Sequence, residues 1–167
     1  MKPTILILVL ILLCFGCTPR QSDQLARQQK DQIKSEVQLV FDSLMAAHHR
    51  LDIERMLQYF WDSPEYVMYN LDGSKSDFKA FKKSSLDILN VIDSVRASVQ
   101  SQEYTVLTED YVMCSFAGNS SLFFKSGDKL KIDPEAYTWI FKRVNDQWKV
   151  AYSHESGIIA MERTGKK

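Results

Sequence analysis

Residues 139–156 read WIFKRVNDQWKVAYSHES. Two runs that alternate apolar and polar flank Asn145-Asp146, a pair suited to a tight turn. Alternation with period two marks strands that bury one face, so the stretch is a β-hairpin. On its second strand, parity puts Trp148, Val150, Tyr152 and His154 on one face. On the first, Tyr137, Trp139 and Phe141 share a face opposite Thr138 and Ile140. A face of Trp, Val, Tyr and His is apolar enough to be the concave side of a sheet, which places His154 at its rim.

Upstream of the hairpin the same period continues. Val95, Ala97 and Val99 alternate in a long strand running toward Leu107; residues 111–116 make another, which 121–125 can continue past Gly118-Asn119. Residues 130–132 and 136–144 follow the Ser126-Gly127-Asp128 turn, and residues 148–153 close the set. Before Asp93 the period is 3.6. Val37, Val40, Phe41, Leu44 and Ala47 or His48 recur at steps of three and four, the stripe of an amphipathic helix. A second helix is expected over residues 53–61, with Ile53, Met56, Leu57 and Phe60 on one side and Pro64 beyond its end. Residues 66–71 form a short strand, and Asp72-Gly73 is a hairpin turn. Ser76 caps a third helix that buries Phe78, Phe81, Ser85, Ile88 or Leu89, and Ile92. Helices first and hairpin-linked strands afterwards argue for an α+β fold, with helices packed on one face of an antiparallel sheet.

The order of these elements, with Tyr137-Thr138, Lys142 or Arg143, Trp148-Lys149, His154 and Ser156 in the last hairpin and the segment from Tyr59-Phe60 and Tyr66 to Asp72-Gly73 upstream, resembles the nuclear transport factor 2-like superfamily and within it the SnoaL-like branch. The resemblance covers residues 36–159 or so. It implies a cone-shaped, cystatin-like roll in which N-terminal helices pack in a strongly curved antiparallel sheet around a cavity. Relatives of this fold include isomerases, dehydratases, cyclases, partner-binding modules and oligomerisation domains, so the fold alone names no chemistry. A homodimer joined through the outer face of the sheet is common for it and is expected here.

His154 has two readings. It is a general base or a donor to a ligand, since histidine titrates near neutral pH, or it is satisfied by Ser156 or backbone and holds the strand end. Asp62, with Glu65 close by in WDSPEY, is its candidate catalytic partner; the same stretch also reads as a helix-ending turn whose Asp and Ser satisfy local backbone. Tyr59, Trp61, Tyr66, Tyr137, Trp139, Tyr152 and His154 are the expected pocket residues for a small hydrophobic ligand. His48-His49 is a weak metal pair, because helix neighbours point about 100° apart. One is expected to cap the helix and the other to face solvent. No metal-ligand spacing, phosphate loop, dinucleotide fingerprint or G-x-S-x-G is present, so no metal or cofactor is expected.

The N-terminus speaks to cellular address. Residues 5–15 are an unbroken apolar run of 11, too short for the roughly 20 residues that cross a bilayer. Lys2 before the run and Gly16-Cys17 after it resemble a bacterial lipoprotein signal, with Cys17 as the lipid-carrying residue; Cys14 departs from the aliphatic residue usual three positions earlier. A plain signal peptide or an uncleaved anchor is the competing reading. The expected organisation is a signal over 1–16, a polar tether over 17–35, one domain over 36–160 and a polar tail over 161–167, held by lipid at the bacterial cell envelope. Loss of Lys2 with the signal leaves 20 Lys+Arg from the chain's 21, against 21 Asp+Glu, a balance that gives no sign of nucleic-acid binding. With Cys17 acylated, Cys114 is the remaining thiol and no intrachain disulfide is possible. The sum of these readings is an exported module that binds a small hydrophobic molecule or a protein partner without catalysis. The alternatives are an acid–base enzyme using His154 and Asp62, and a structural dimer with its cavity plugged by Trp61, Trp139 and Trp148.

Overall fold

The structure, a computed structural model, describes residues 25–164. Cys17 and the apolar run before it lie outside the described residues. Helix α1 (Arg27–His49) buries Ile33, Val37, Phe41, Leu44 and Ala47 on one stripe. It begins nine residues before the expected boundary at Glu36. Arg, Gln and Lys continue a helix readily, and Ile33, only 4 % exposed, gives the additional turns a place in the core. Helix α2 (Ile53–Leu57) is capped by the Asp52 carboxylate, which accepts from the Arg55 amide at 3.2 Å. It ends earlier than expected because sheet pairing captures the next residues. Trp61 N–H donates to the Val150 carbonyl at 2.9 Å, and Val150 N–H to the Tyr59 carbonyl at 2.8 Å.

Strands β1 (Val67–Tyr69) and β2 (Lys75–Ser76) form the hairpin around Asp72-Gly73, with Gly73 at φ +80°. Helix α3 (Phe78–Asp87) follows, capped by Asp77 and not by Ser76: the Asp77 carboxylate accepts from Ala80 N–H at 2.8 Å. Ser76 is held in β2, where its hydroxyl accepts from Asn70 Nδ2 at 3.0 Å. Four long strands follow: β3 (Ile92–Thr108), β4 (Tyr111–Phe124), β5 (Lys129–Val144) and β6 (Gln147–Glu162). Among the described residues the sheet has the order β2-β1-β6-β5-β4-β3. It is mixed, since β1 pairs parallel to β6. No helix among the described residues is long and apolar enough to cross a membrane.

The expected breaks in β4 and β5 prove to be irregularities inside continuous strands. Pairing slips between Gly118 and Ser120, and between Ile132 and Glu135, where Pro134 cannot donate to the ladder. Strand β6 likewise runs on to Glu162, past the expected end at Ser153, because Lys129–Ile132 pairs with residues 159–162.

One further irregularity governs the interior. Phe141 pairs with Val150 and Ile140 with Tyr152, so Ala151 is an extra residue in β6. A one-residue bulge inverts the face of every side chain beyond it. Trp148 and Val150 are buried as parity expects. Past Ala151 the inward residues are Ser153 and Glu155, while Tyr152 and His154 turn outward.

Helices and sheet meet in an aromatic core. The Phe41 ring lies 5.1 Å from that of Phe116, Phe116 lies 4.8 Å from Trp139, and Phe60 lies 4.7 Å from Phe81. Near the middle of α1, Glu36 Oε2 accepts from Trp148 Nε1 at 3.1 Å and from Arg143 Nη2 at 3.0 Å, fastening the helix to the last hairpin. These donors hold the Glu36 carboxyl below its ordinary value, Trp148 contributing most.

Candidate functional site

A cavity of about 380 Å³ lies between the helices and the curled sheet. Leu44, Met45 and His48 of α1 and Ile53 and Met56 of α2 wall one side. Phe60, Met68, Phe81 and Ile88 close another, and Phe116, Tyr137 and Trp139 form the sheet floor. These apolar walls follow from the helix stripe and the inward parity of β4 and β5. At one end Ser120, Glu135, Ser153 and Glu155 bring polar groups into the same space.

Tyr137 lies close to both glutamates. Burial raises Glu135 above the ordinary carboxyl range, opposed by the Ser120 hydroxyl, which donates to Glu135 Oε2 at 2.7 Å, and by the Tyr137 hydroxyl. Burial also raises Glu155, opposed by the Leu71 backbone N–H and again by Tyr137. Tyr137 is itself pushed well up, first by burial and then by the two carboxylates. Its ring stacks on Phe116 at 4.8 Å. A phenol has one proton to donate, so it satisfies only one of the carboxyl groups at a time.

His48 lies in the wall formed by α1. Burial, with a smaller contribution from His49, pushes its imidazole down to about 4, so it is neutral at physiological pH. Its Nδ1 is buried with no hydrogen-bond partner among the described residues. No capping bond from either histidine closes α1; the end is closed by the backbone of Arg50, whose N–H donates to the Ala47 carbonyl at 3.2 Å.

The expected site residues divide. Tyr137 and Trp139 line the cavity. Tyr66, 1 % exposed, is packed behind it among Phe60, Phe78 and Phe81. Its hydroxyl lies near Ser153 but makes no hydrogen bond that satisfies it. Tyr59 is half-buried against the core and Trp61 is covered by Lys142, whose Nζ stands 3.9 Å from the ring centre. Tyr152 and His154 face away from the cavity and flank Tyr69 at 6.3 and 6.4 Å between ring centres. His154 pairs with Thr138, and paired residues share a face; Thr138 alternates with the inward Tyr137 and Trp139. Asp62 is exposed and does not line the cavity. The structure therefore does not bring His154 and Asp62 together around the cavity, and the bulge at Ala151 is the reason His154 is outside.

Glu135 was within reach of parity reasoning, because 135, 137, 139 and 141 are in phase. Glu155 was not, since only the bulge reverses its phase. Cys114, fully buried in β4, has its thiol pushed up to about 11 by burial and carries no reactive character.

The arrangement suits two tasks. Its apolar walls hold a compact molecule whose polar group meets the Glu135–Tyr137–Glu155 end. Its buried carboxyls, raised above their ordinary range, are also placed to exchange a proton with a molecule in the cavity. A larger depression of about 560 Å³ runs along the other side of α1 against β3, near Asp42 and His49, but it shares none of this polar cluster.

The same fold recurs among solved structures. A suspected scytalone dehydratase from Novosphingobium aromaticivorans matches with a TM-score of 0.72 at 8% identity, covering 85% of this chain and 94% of that one. A nuclear transport factor 2-like superfamily protein from Salmonella enterica serovar Typhimurium gives 0.68 at 13%, covering 82% and 96%. A type 2 hexachlorocyclohexane dehydrochlorinase gives 0.66 at 10%, covering 84% and 95%. No curated protein matches the sequence. Residues 37–161 match the family model of the SnoaL-like domain, which is most of the chain. The chain, with its helices wrapped in a curled sheet around an acid-ended cavity, belongs to the SnoaL-like domain family of the nuclear transport factor 2-like superfamily.

Proposed function

We propose that this protein binds a small, mostly apolar molecule in the cavity, with the polar group of that molecule held at Glu135, Tyr137 and Glu155. The observation that carries this reading is that the cavity is open. Of the three tryptophans that could have plugged it, Trp139 lines its floor, Trp148 is turned to Glu36 and Trp61 lies under Lys142. The test is native mass spectrometry of the protein purified gently from its own host. A reproducible extra mass, lost on denaturation and lost in Ser85→Trp, which fills the cavity from α3, supports the reading. Retention of that mass in the filled variant places the ligand elsewhere.

A second reading is acid–base catalysis at the same end of the cavity. It is favoured by the raised Glu135 and Glu155 carboxyls, and by likeness in fold to a dehydrochlorinase and a suspected dehydratase. Deuterium entering the extracted ligand from heavy water, and failing to enter with Glu155→Gln, would support catalysis. An unlabelled ligand leaves simple binding.

The same proposal puts the cavity outside the cytoplasm on a lipid at Cys17, on the strength of the apolar run and Gly16-Cys17 alone. Metabolic labelling with a fatty acid, abolished by Cys17→Ser, tests it. It also holds the protein as a homodimer through the outer sheet face, where Tyr69, Ile140 and Tyr152 leave apolar surface; sedimentation equilibrium tests that.

A further inference from the structure

The cavity's bonding account does not close. Glu135 is 6 % exposed and Glu155 is half-buried, so both carboxyls are withdrawn from bulk water. The donors near them are the Ser120 hydroxyl, the single Tyr137 proton and the Leu71 N–H. Three neutral donors face two carboxyl groups, each of which accepts several hydrogen bonds when ionised. Among the described residues, the only cationic residue type in the cavity wall is His48, which burial keeps neutral. Asp133 and Asp72 add negative charge from outside, acting on Glu135 and Glu155 respectively. A buried charge without a partner is costly, and partnering by an opposite charge is the usual remedy.

In the helical wall, His48 Nδ1 is buried and has no partner among the described residues, although buried polar atoms are nearly always bonded.

We propose, resting on the binding reading above, that the molecule held in this cavity is a compact lipophilic amine, its ammonium placed between Glu135 and Glu155. An ammonium brings three donors and one positive charge, which matches what the two carboxyls lack. The walls of Leu44, Met56 and Ile88 take the hydrocarbon part.

Calorimetry of the full chain with three ligands of one shape tests this: cyclohexylmethylamine, cyclohexylmethanol and cyclohexanecarboxylate. Charge-assisted hydrogen bonds are roughly twice as strong as neutral ones, so the amine is expected to bind about tenfold more tightly than the alcohol. The carboxylate is expected not to bind. Glu155→Gln and Glu135→Gln keep the side-chain shape, and each should bring the amine's advantage over the alcohol below about threefold. Alcohol binding as tight as amine, or an advantage that survives both substitutions, overturns the charge assignment and leaves the binding cavity standing. Failure of all three ligands to bind overturns the assignment and counts against the binding cavity as well.

Discussion

Gly118→Ala tests how the sheet curls over the cavity. A Cβ at this position would stand 1.8 Å from the Ser98 carbonyl oxygen, 2.9 Å from its carbon and 3.2 Å from Val99 Cα. Ordinary carbon–oxygen contacts between strands are no closer than about 3.3 Å, so β3 and β4 have to part by about 1.5 Å. All three obstacles are backbone atoms, and no rotamer change relieves them. Parting of that size carries neighbouring ladder bonds beyond hydrogen-bond length. Two lost bonds at about 1 kcal/mol each, with about 1–3 kcal/mol for overpacking, give a loss of about 3–5 kcal/mol. That is a large fraction of an ordinary domain's 5–15 kcal/mol or so. Urea unfolding followed by tryptophan fluorescence reads the loss as a lower midpoint at unchanged slope. Gly73→Ala is the control: it has nothing within 4 Å but sits at φ +80°, so the strain of about 1–2 kcal/mol comes from the backbone alone. A Gly118→Ala protein within 1 kcal/mol of the parent would refute the close-approach argument.

Three further predictions concern the site. Glu135 and Glu155 are raised in the folded state, so their contribution to stability is fully present below the unfolded carboxyl value and is lost as pH rises through the raised folded values; thermal melts of Glu135→Gln and Glu155→Gln should lack that decline. His48 runs the other way: lowered from 6.5 to about 4, it contributes stability that is present above 6.5 and lost as pH falls toward 4, up to about 3 kcal/mol, which imidazole titration by NMR and the pH profile of His48→Gln check. His154→Ala and Asp62→Ala, both at exposed positions, should change stability by no more than about 0.5 kcal/mol and leave ligand retention in native mass spectra intact, whereas Tyr137→Phe should weaken it.

The amino-acid sequence by itself determined the fold class and most element positions, because those rest on local rules. The stripe from Val37 to Ala47 is a helix face whatever it packs against. Asn145 and Asp146 both adopt positive φ, 48° and 60°, as a tight hairpin turn requires. Tyr137, Trp139 and Phe141 point inward as parity expects, and Glu135 lies in phase with them. The structure alone decided the rest, because it depends on partners distant in the chain. Ser76 lost the cap to its neighbour Asp77 when β1 claimed it as a strand partner. The second helix stopped when Val150 captured Tyr59 and Trp61. Ala151 became a bulge through the pairing of β6 with β5, and nothing in the run Val150-Ala151-Tyr152 announces it. A period of two carries no memory of an added residue, so one unpaired alanine exchanged His154 for Glu155 at the cavity and changed which residues make the site.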